Sequence, residues 1–406
     1  MFANKLREEF SILWPFYIYL LLFGIACAVS APVYILFYLN SGLSFAQIGI
    51  IFGVSLVIGF LAEIPTGAVA DVFGRKFSVA LSFLLWGITL ILIPLFPSFY
   101  PLLIIVSLAE LFSTLRSGAD NAWAVDLLKH KKKSSLVQNF FINKTVSMNL
   151  GMILGGFVSV FVVTYFGIPS TWIFQGLLVI FISGFIFLFG EEWFIKKKAD
   201  IFDSVNATFV QAKTGLTYVR NHKVLFFYVV GTFFLALLTV FNIVWQPIFV
   251  EIGISPSTIG IVVSMLGVIG LVAPILSKKF LSVFKTEKTS IIMAYTITVA
   301  AMVLFSFVRS PFEGILIFAI ASAVIDMSSP IESKFVHTFI KSKQRATIGS
   351  ILNMNWKFSA CIGFIVNGFV IDVIGIRSAT MLIGLVASIG LLFLFMMKPE
   401  GQKKHF

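Results

Sequence analysis

The sequence predicts an all-α membrane protein in which twelve transmembrane helices form two pseudo-symmetric six-helix bundles. The first observation is composition, because 59% of the 406 residues are hydrophobic, 12% are charged and the mean hydropathy is +1.01. A water-soluble fold cannot bury that much apolar surface, so lipid must cover part of the chain. The second observation is a series of twelve apolar stretches of membrane-spanning length, and the third is an internal repeat that relates the first six to the last six.

The first six stretches lie in residues 1–190, which we predict to form the amino-terminal bundle. The first stretch continues from Trp14 to Leu39 and is too long for a cleaved signal peptide, so it is predicted to be the first span. Each span is predicted to be a helix, because hydrocarbon contains no water to satisfy backbone amides and a helix pairs them internally. The other five predicted spans are Phe45–Ala70, Phe77–Phe96, Tyr100–Leu128, Phe140–Tyr165 and Trp172–Phe189.

The apolar pattern is interrupted between residues 191 and 223, which we predict to be a linker. Charged residues at its start are followed by Phe209, Leu216 and Val219 at roughly helical spacing, which predicts a helix on the cytoplasmic membrane surface. Residues 224–406 are predicted to form the carboxy-terminal bundle. Its six predicted spans are Val224–Val250, Ser257–Leu276, Ser290–Val308, Phe312–Ile340, Ala346–Ile374 and Ala379–Met397.

The loops between the predicted spans carry charge unequally. Lysine and arginine collect at both termini, in the linker and in the loops that follow the even-numbered spans, whereas the opposite loops hold little besides Arg309 and Arg377. Because basic loops stay on the cytoplasmic side, we expect a multi-pass protein of the cell (inner) membrane with both termini cytoplasmic. The same short clusters explain the net charge of +12 without a nucleic-acid partner, since they do not form a continuous basic stripe.

The internal repeat appears when the chain is shifted against itself. A shift of 211 residues aligns the stretch from Gly42 to Ile50 with the stretch from Gly253 to Ile261. A shift of 212 residues aligns Asp120 with Glu332. Two homologous six-helix halves of like orientation follow from this alignment.

The most specific pattern in the chain lies between the second and third predicted spans. There Glu-Ile-Pro-Thr-Gly, residues 63–67, is followed by Asp71 and by Gly-Arg-Lys at residues 74–76. The pattern resembles the signature loop between helices two and three of the major facilitator superfamily, in the Glu-Ile-Pro-Thr-Gly variant of its prokaryotic members. The corresponding loop of the second half, residues 278–285, lacks the aspartate and both glycines.

The resemblance implies that this loop is a cytoplasmic gate. We expect Gly67 to permit close helix approach and Gly74 to adopt a positive φ. Asp126, at the cytoplasmic end of the fourth span, matches the acid that pairs with the signature arginine of the family, here Arg75. The predicted gate residues are Glu63, Gly67, Asp71, Gly74, Arg75, Lys76 and Asp126.

The resemblance also implies that the first and fourth helices of each half line the transport cavity. The fourth and tenth predicted spans carry several charged residues, which are expensive inside a membrane and therefore indicate function. Arg116 and Asp120 are four residues apart and can pair on one face. The candidates for the cavity wall and for proton coupling are Glu110, Arg116, Asp120, Asp326 and Glu332.

Among these candidates, Glu110 and Asp326 are predicted first as proton carriers. Burial away from a cation disfavours the charged form of a carboxylate, so such a group can load and release a proton. The alternative for each is a fixed salt bridge between helices, with Lys144 or Lys357 for instance. The sequence leaves both explanations open.

Several kinds of enzyme are excluded by the motifs that the chain lacks. It contains no Gly-rich phosphate loop, no His-Glu-x-x-His pattern and no paired cysteines, so we predict no enzyme activity, no cofactor and no metal. We expect a monomeric secondary active transporter that works by alternating access, with a small-molecule substrate, protons and the lipid bilayer as its partners.

The direction of transport is predicted from a further resemblance. The stretch from Asn149 to Gly156 resembles the glycine-rich fifth-helix motif of proton-driven drug exporters, although the expected proline is absent. Tight helix packing is the alternative explanation of these glycines. We therefore predict a drug/proton antiporter-like protein that catalyses proton-coupled efflux of a small amphipathic compound. The alternatives are proton-coupled uptake of a sugar or organic metabolite and, from another class, a membrane-embedded enzyme or receptor.

Overall fold

The computed structural model describes residues 2–193, 215–340 and 345–398, and the regular structure in these ranges is entirely helical. Twelve helical spans in these ranges are long and apolar enough to cross a membrane, which confirms the predicted all-α membrane fold. We label them α1 (Glu8–Asn40), α2 (Phe45–Glu63), α3 (Arg75–Leu95), α4 (Phe99–His130), α5 (Ser134–Phe166), α6 (Pro169–Phe189), α7 (Lys223–Glu251), α8 (Ile259–Phe284), α9 (Glu287–Phe305), α10 (Pro311–Thr338), α11 (Ile351–Ile374) and α12 (Ile376–Met396).

The observed and predicted spans differ mainly at their ends. The helix of α2 continues to Phe73, so the Glu-Ile-Pro-Thr-Gly stretch is helical and Gly74 alone separates this helix from α3. The helix that contains α1 begins at Phe2 and continues unbroken to Ser30. The predicted linker helix falls largely on residues 194–214, outside the described residues, whereas residues 215–221 are helical.

Helix α4 is interrupted in its middle, which matters for the site. It consists of two helical segments, Phe99–Thr114 and Ala119–His130, joined by four residues in turn conformation. Gly118, the last residue of the turn, has a φ of 74°, which favours glycine. The interruption contains Arg116, one of the predicted cavity residues.

The chain divides into two compact units. The first unit comprises Met1–Phe37, Ile58–Asn206 and Pro256–Val268. Within it, a methyl group on Gly24 of α1 would lie 3.0 Å from the Cα atom of Gly151 in α5, and the backbone of Gly156 packs against Ser264 of α8. Contacts this close require glycine, so the glycines of α5 serve helix packing, which was the alternative explanation of the 149–156 stretch.

The second unit comprises Tyr38–Val57, Ala207–Ser255 and Ile269–Phe406. Its hydrophobic core is formed by side chains from α7, α9, α10, α11 and α12, including Leu225, Ile292, Phe335 and Leu394. This unit also contains the start of α2. There the carboxylate of Asp372 in α11 accepts hydrogen bonds from the backbone N–H groups of Phe45 at 3.0 Å and Ala46 at 2.8 Å. The start of a first-half helix is therefore capped by a second-half residue.

Candidate gate, substrate and proton sites

The signature loop is held by the segment that follows α6. Arg75 is the first residue of α3, and Gly74 before it has a φ of 102°. The Glu192 carboxylate accepts hydrogen bonds from the backbone N–H groups of Arg75 at 2.5 Å and Lys76 at 3.0 Å. A carboxylate in this position satisfies free N–H groups of the helix and is attracted by its dipole. Glu192 therefore caps α3, and the positive φ expected at Gly74 is confirmed.

Arg75 also connects α3 to α4. Its Nη1 atom lies 2.5 Å from Oδ2 of Asp126, so the ion pair implied by the family resemblance is present. The Nζ atom of Lys76 lies 5.5 Å from the centre of the Phe187 ring in α6. Asp71 forms no ion pair within the part of the chain that the structure describes. A cluster in which Asp71 joins Arg75 and Asp126 is therefore not formed in this structure.

The remaining predicted gate residues lie on the helix that contains α2. Glu63, Gly67 and Asp71 follow one another at four-residue spacing on an unbroken helix, as the pattern predicts. Gly67 is exposed, and no described atom lies within 4 Å of the position that a methyl group there would occupy. The close helix approach expected at Gly67 is therefore not found, because no described neighbour packs against it.

Three charged side chains meet beside the interruption of α4. Asp120 is buried, with 5% of its surface exposed, and its Oδ2 atom lies 3.0 Å from Nζ of Lys144 on α5. Arg116 is the more distant partner, with 3.6 Å between its Nη1 atom and the same oxygen. The Arg116 guanidinium lies 4.4 Å from the ring centre of Phe23 and 5.4 Å from that of Phe83. The pairing of Arg116 with Asp120 is confirmed, and Lys144 is the second, closer partner.

Glu110 lies on α4 and faces α2. A methyl group on Gly59 would lie 2.6 Å from Cγ of Glu110 and 2.8 Å from its Oε1 atom. The absence of a side chain at Gly59 therefore makes the space that the Glu110 carboxylate occupies. Lys144, one of the two lysines suggested as salt-bridge partners, pairs with Asp120.

The acids of α10 have different surroundings. Oε1 of Glu332 accepts hydrogen bonds from the hydroxyl of Tyr228 on α7 at 2.6 Å and from that of Tyr295 on α9 at 2.9 Å. No basic side chain pairs with Glu332 among the described residues. Asp326 is partly buried and has neither a hydrogen-bond nor an ion-pair partner in the same part of the structure.

Comparison with known proteins assigns the family. The model of the Major Facilitator Superfamily matches residues 16–251 and 229–406. The chain belongs to this superfamily. It is therefore a multi-pass membrane transporter rather than an enzyme. The curated "Uncharacterized MFS-type transporter YxaM" of Bacillus subtilis (strain 168) is 25% identical over 371 residues, which cover 88% of each chain.

Solved structures of this superfamily show the same fold. The nucleoside transporter NupG has a TM-score of 0.77 at 14% identity, covering 95% of this chain and 98% of that one. A D-xylose-proton symporter has a TM-score of 0.70 at 13% identity, covering 96% and 98%. A POT family transporter in complex with a thioalcohol-conjugated peptide has a TM-score of 0.74 at 14% identity, covering 94% and 95%.

Several contacts in this superfamily member were not predicted from its sequence. Glu192 accepts hydrogen bonds from backbone N–H groups, and such contacts cannot be recognised from residue types in the sequence. The one available signal is that Glu192 belongs to an acidic pair just after α6. Glu9 is fully buried near the start of α1 and accepts hydrogen bonds from Tyr17 and Asn143, both at 2.5 Å. Glu9 directly follows Glu8, and two adjacent acids in a sequence usually indicate a solvent-exposed pair. The burial of Glu9 was therefore not predicted.

Proposed function

We propose that the protein is a proton-coupled secondary transporter that exports a small amphipathic organic compound, and that Glu332 is the group that loads the proton. The observation that carries this proposal is the environment of Glu332. Two tyrosine hydroxyls hold its carboxylate within a membrane span, and no cation among the described residues balances its charge. An uncompensated carboxylate in such a place is expensive and indicates function.

The hydrogen bonds at Glu332 leave room for a proton. Tyr228 and Tyr295 both donate to Oε1, and Oε2 has no partner among the described residues. A proton can therefore bind at Oε2 while both tyrosine hydrogen bonds remain, because Oε1 is still an acceptor in the neutral acid. Lys334, two residues further along α10, pairs with Glu287 at 2.7 Å and so does not neutralise Glu332 in this arrangement.

The corresponding acid of the first half supports the same assignment. Asp120 occupies the repeat position of Glu332 but has Lys144 and Arg116 as partners. A carboxylate between two cations needs no proton to remain buried, whereas Glu332 is neutralised only when a proton binds. The repeat thus contains one ion-paired acid and one acid suited to proton exchange.

The gate of the proposed transporter is the region around Arg75. Arg75 pairs with Asp126, and Glu192 caps the same helix, so α3, α4 and the segment after α6 are held together at this end. We place this end, the linker and both termini in the cytoplasm of a cell (inner) membrane, because basic loops stay inside. In this proposal a monomer works by alternating access between bundles formed by residues 1–190 and 224–406, connected by residues 191–223.

Export rests on the resemblance of the stretch from Asn149 to Gly156 to the fifth-helix motif of proton-driven drug exporters, a stretch whose glycines also serve helix packing. Uptake of a sugar or organic metabolite with a proton is the second candidate, because a D-xylose-proton symporter shares the fold. A panel of compounds in proteoliposomes with an imposed pH gradient distinguishes them. Export requires substrate and protons to move in opposite directions, whereas uptake requires both to move in the same direction.

The role of Glu332 is tested in the same vesicles. Glu332→Gln keeps the size of the side chain but removes the titration, so pH-driven accumulation should be lost while exchange at equal pH on both sides continues. Asp326→Asn on the same helix is the matched control and should retain both activities. Accumulation that persists in Glu332→Gln contradicts the assignment of Glu332. If both variants accumulate substrate as the wild type does, neither acid of α10 couples transport to protons, and Glu110 of α4 becomes the proton-carrier candidate.

A further inference from the structure

The interruption of α4 lies near the middle of the span. The helical segment before it has 16 residues and the one after it has 12 residues. At 1.5 Å per residue these segments are about 24 Å and about 18 Å long, so the turn between them is well inside the hydrocarbon. Transport proteins use half-helix ends at this depth to bind charged groups of their substrates.

The exposed part of the interruption comprises two residues. Ser117 and Gly118 are exposed, although the helical residues that flank the turn, Thr114 and Ala119, are buried. Irregular backbone at membrane depth is tolerated only where protein or a water-filled cavity satisfies its polar groups. Residues 117–118 are not covered by described protein, so we infer that they line an aqueous cavity.

The charges at this place do not balance. Asp120 contributes one negative charge, whereas Lys144 and Arg116 contribute two positive charges, which leaves the three-residue cluster with an excess of one positive charge. The Asp120 carboxylate is already occupied, because it lies 3.0 Å from Lys144 and accepts a hydrogen bond from the backbone N–H of Asn121 at 2.7 Å. The start of the second segment of α4 adds the positive end of a helix dipole.

Arg116 is held in position, and its guanidinium forms one long ion pair but no hydrogen bond with described residues. Its guanidinium is stacked near Phe23 and Phe83, which are buried and fix the plane of the group. No hydrogen bond from this guanidinium to another described residue is present, and the nearest carboxylate oxygen is 3.6 Å away. Guanidinium groups present five N–H donors in a planar fork that matches a carboxylate.

We propose that Arg116 and the interruption of α4 bind a monoanionic organic substrate through its carboxylate. The proposal rests on the proposed transport function and names the chemical class of its substrate. A carboxylate carries one charge and so matches the excess of the cluster, whereas a phosphate monoester carries about 1.5 to 2 negative charges at neutral pH. Ser328 occupies the repeat position of Arg116 in the second half, so this site belongs to the first half alone.

Ligand-induced thermal stabilisation of the purified full-length protein tests the proposal. The probes are phenylalkyl carboxylates, their primary amides, the corresponding amines and the corresponding phosphate monoesters, all at one pH and without a gradient. We expect carboxylates to raise the unfolding midpoint of the wild type and the other three classes to do so weakly. Arg116→Gln should weaken apparent carboxylate affinity at least tenfold, and Arg116→Lys by less. Arg309→Gln, which removes the same charge from an exposed loop, should change nothing.

Two outcomes overturn the proposal. In the first, carboxylates stabilise the wild type no better than amides or phosphate monoesters do. In the second, Arg116→Gln binds carboxylates as well as the wild type. If Arg116→Gln does not fold, Asp120→Asn provides the second variant: it adds one net positive charge, should tighten carboxylate binding, and contradicts the proposal if affinity is unchanged.

The measurement of carboxylate binding does not depend on proton coupling. Binding is measured at equilibrium, so Glu332→Gln should bind carboxylates as the wild type does. If the binding experiment contradicts the carboxylate site at Arg116, the proposed proton site at Glu332 is unaffected. If the vesicle experiment contradicts the assignment of Glu332 as the proton carrier, the proposed carboxylate site at Arg116 is unaffected.

Discussion

Removing the charge of Asp372 is expected to shift the conformational equilibrium of the transporter. Its carboxylate accepts hydrogen bonds from the N–H groups of Phe45 and Ala46 and thereby attaches α11, of the second half of the sequence, to the start of α2, of the first half. Both groups lie at the end of α2 opposite the signature loop. Alternating access requires contacts of this kind to form in one state and break in the other.

The size of the shift follows from the geometry. Asp372→Asn keeps one acceptor oxygen but loses the second hydrogen bond, a loss of about 1 kcal/mol for an exposed group. It also loses the attraction to the helix dipole, about 0.3–1 kcal/mol at an exposed position. The sum, about 1.3–2 kcal/mol, changes a two-state ratio about ten- to thirtyfold.

Labelling from the outside measures this ratio. A single cysteine at Ser117, in a background without Cys27 and Cys361, is labelled with an impermeant maleimide in right-side-out vesicles. Asp372→Asn should raise the external labelling rate about tenfold, in line with a shift of about 1.4 kcal/mol. Ser44→Ala is the control, because the capping hydrogen bonds between Ser44 and Gln47, at 3.3 and 3.0 Å, are local to the same helix. Equal rates in Asp372→Asn and the wild type contradict the proposed role of Asp372, and so does an equal rise in both variants.

Three further variants test the remaining contacts. Arg75→Gln breaks a partly exposed ion pair with Asp126, so it should lower the melting temperature by the equivalent of at most about 1 kcal/mol. Gly59→Ala places a methyl group against the Glu110 side chain and should destabilise the protein by about 1–3 kcal/mol, while adding Glu110→Asp should restore much of its melting temperature. Glu192→Ala removes the cap of α3, which should lower the stability of the protein by about 0.5–2 kcal/mol and speed hydrogen exchange of the first amides of α3. Unchanged exchange contradicts the capping role.

The number and position of the spans could be predicted because hydrophobicity is a local property. Each span carries its own run of apolar residues, and no knowledge of its neighbours is needed to place it. The pair between Arg75 and Asp126 is different, since 51 positions separate the two residues in the sequence. It was predicted only because the loop resembles a family whose pairing is known.

Partners outside such a pattern could not be predicted, because they depend on which helices touch. Spacing along α4 correctly paired Arg116 with Asp120, but the closer cation, Lys144, comes from α5. The hydroxyls that hold Glu332 come from two other helices, and tyrosines are common enough in membrane spans to carry no signal. The interruption of α4 escaped prediction as well, since a single glycine such as Gly118 is usually tolerated within a membrane helix.

The two proposed sites together determine how much charge a transport cycle moves. Export of a monoanion bound at Arg116 in exchange for one proton entering through Glu332 moves two positive charge equivalents inward. At an inside-negative potential of 100 mV this contributes about 4.6 kcal/mol to export, from about 2.3 kcal/mol per charge. Uptake of the same monoanion with one proton moves no net charge. Currents recorded from proteoliposomes on a solid-supported membrane should therefore be large and inward-positive for export, and should vanish in Glu332→Gln. A cycle that is electrically silent at full transport rate contradicts antiport and favours symport.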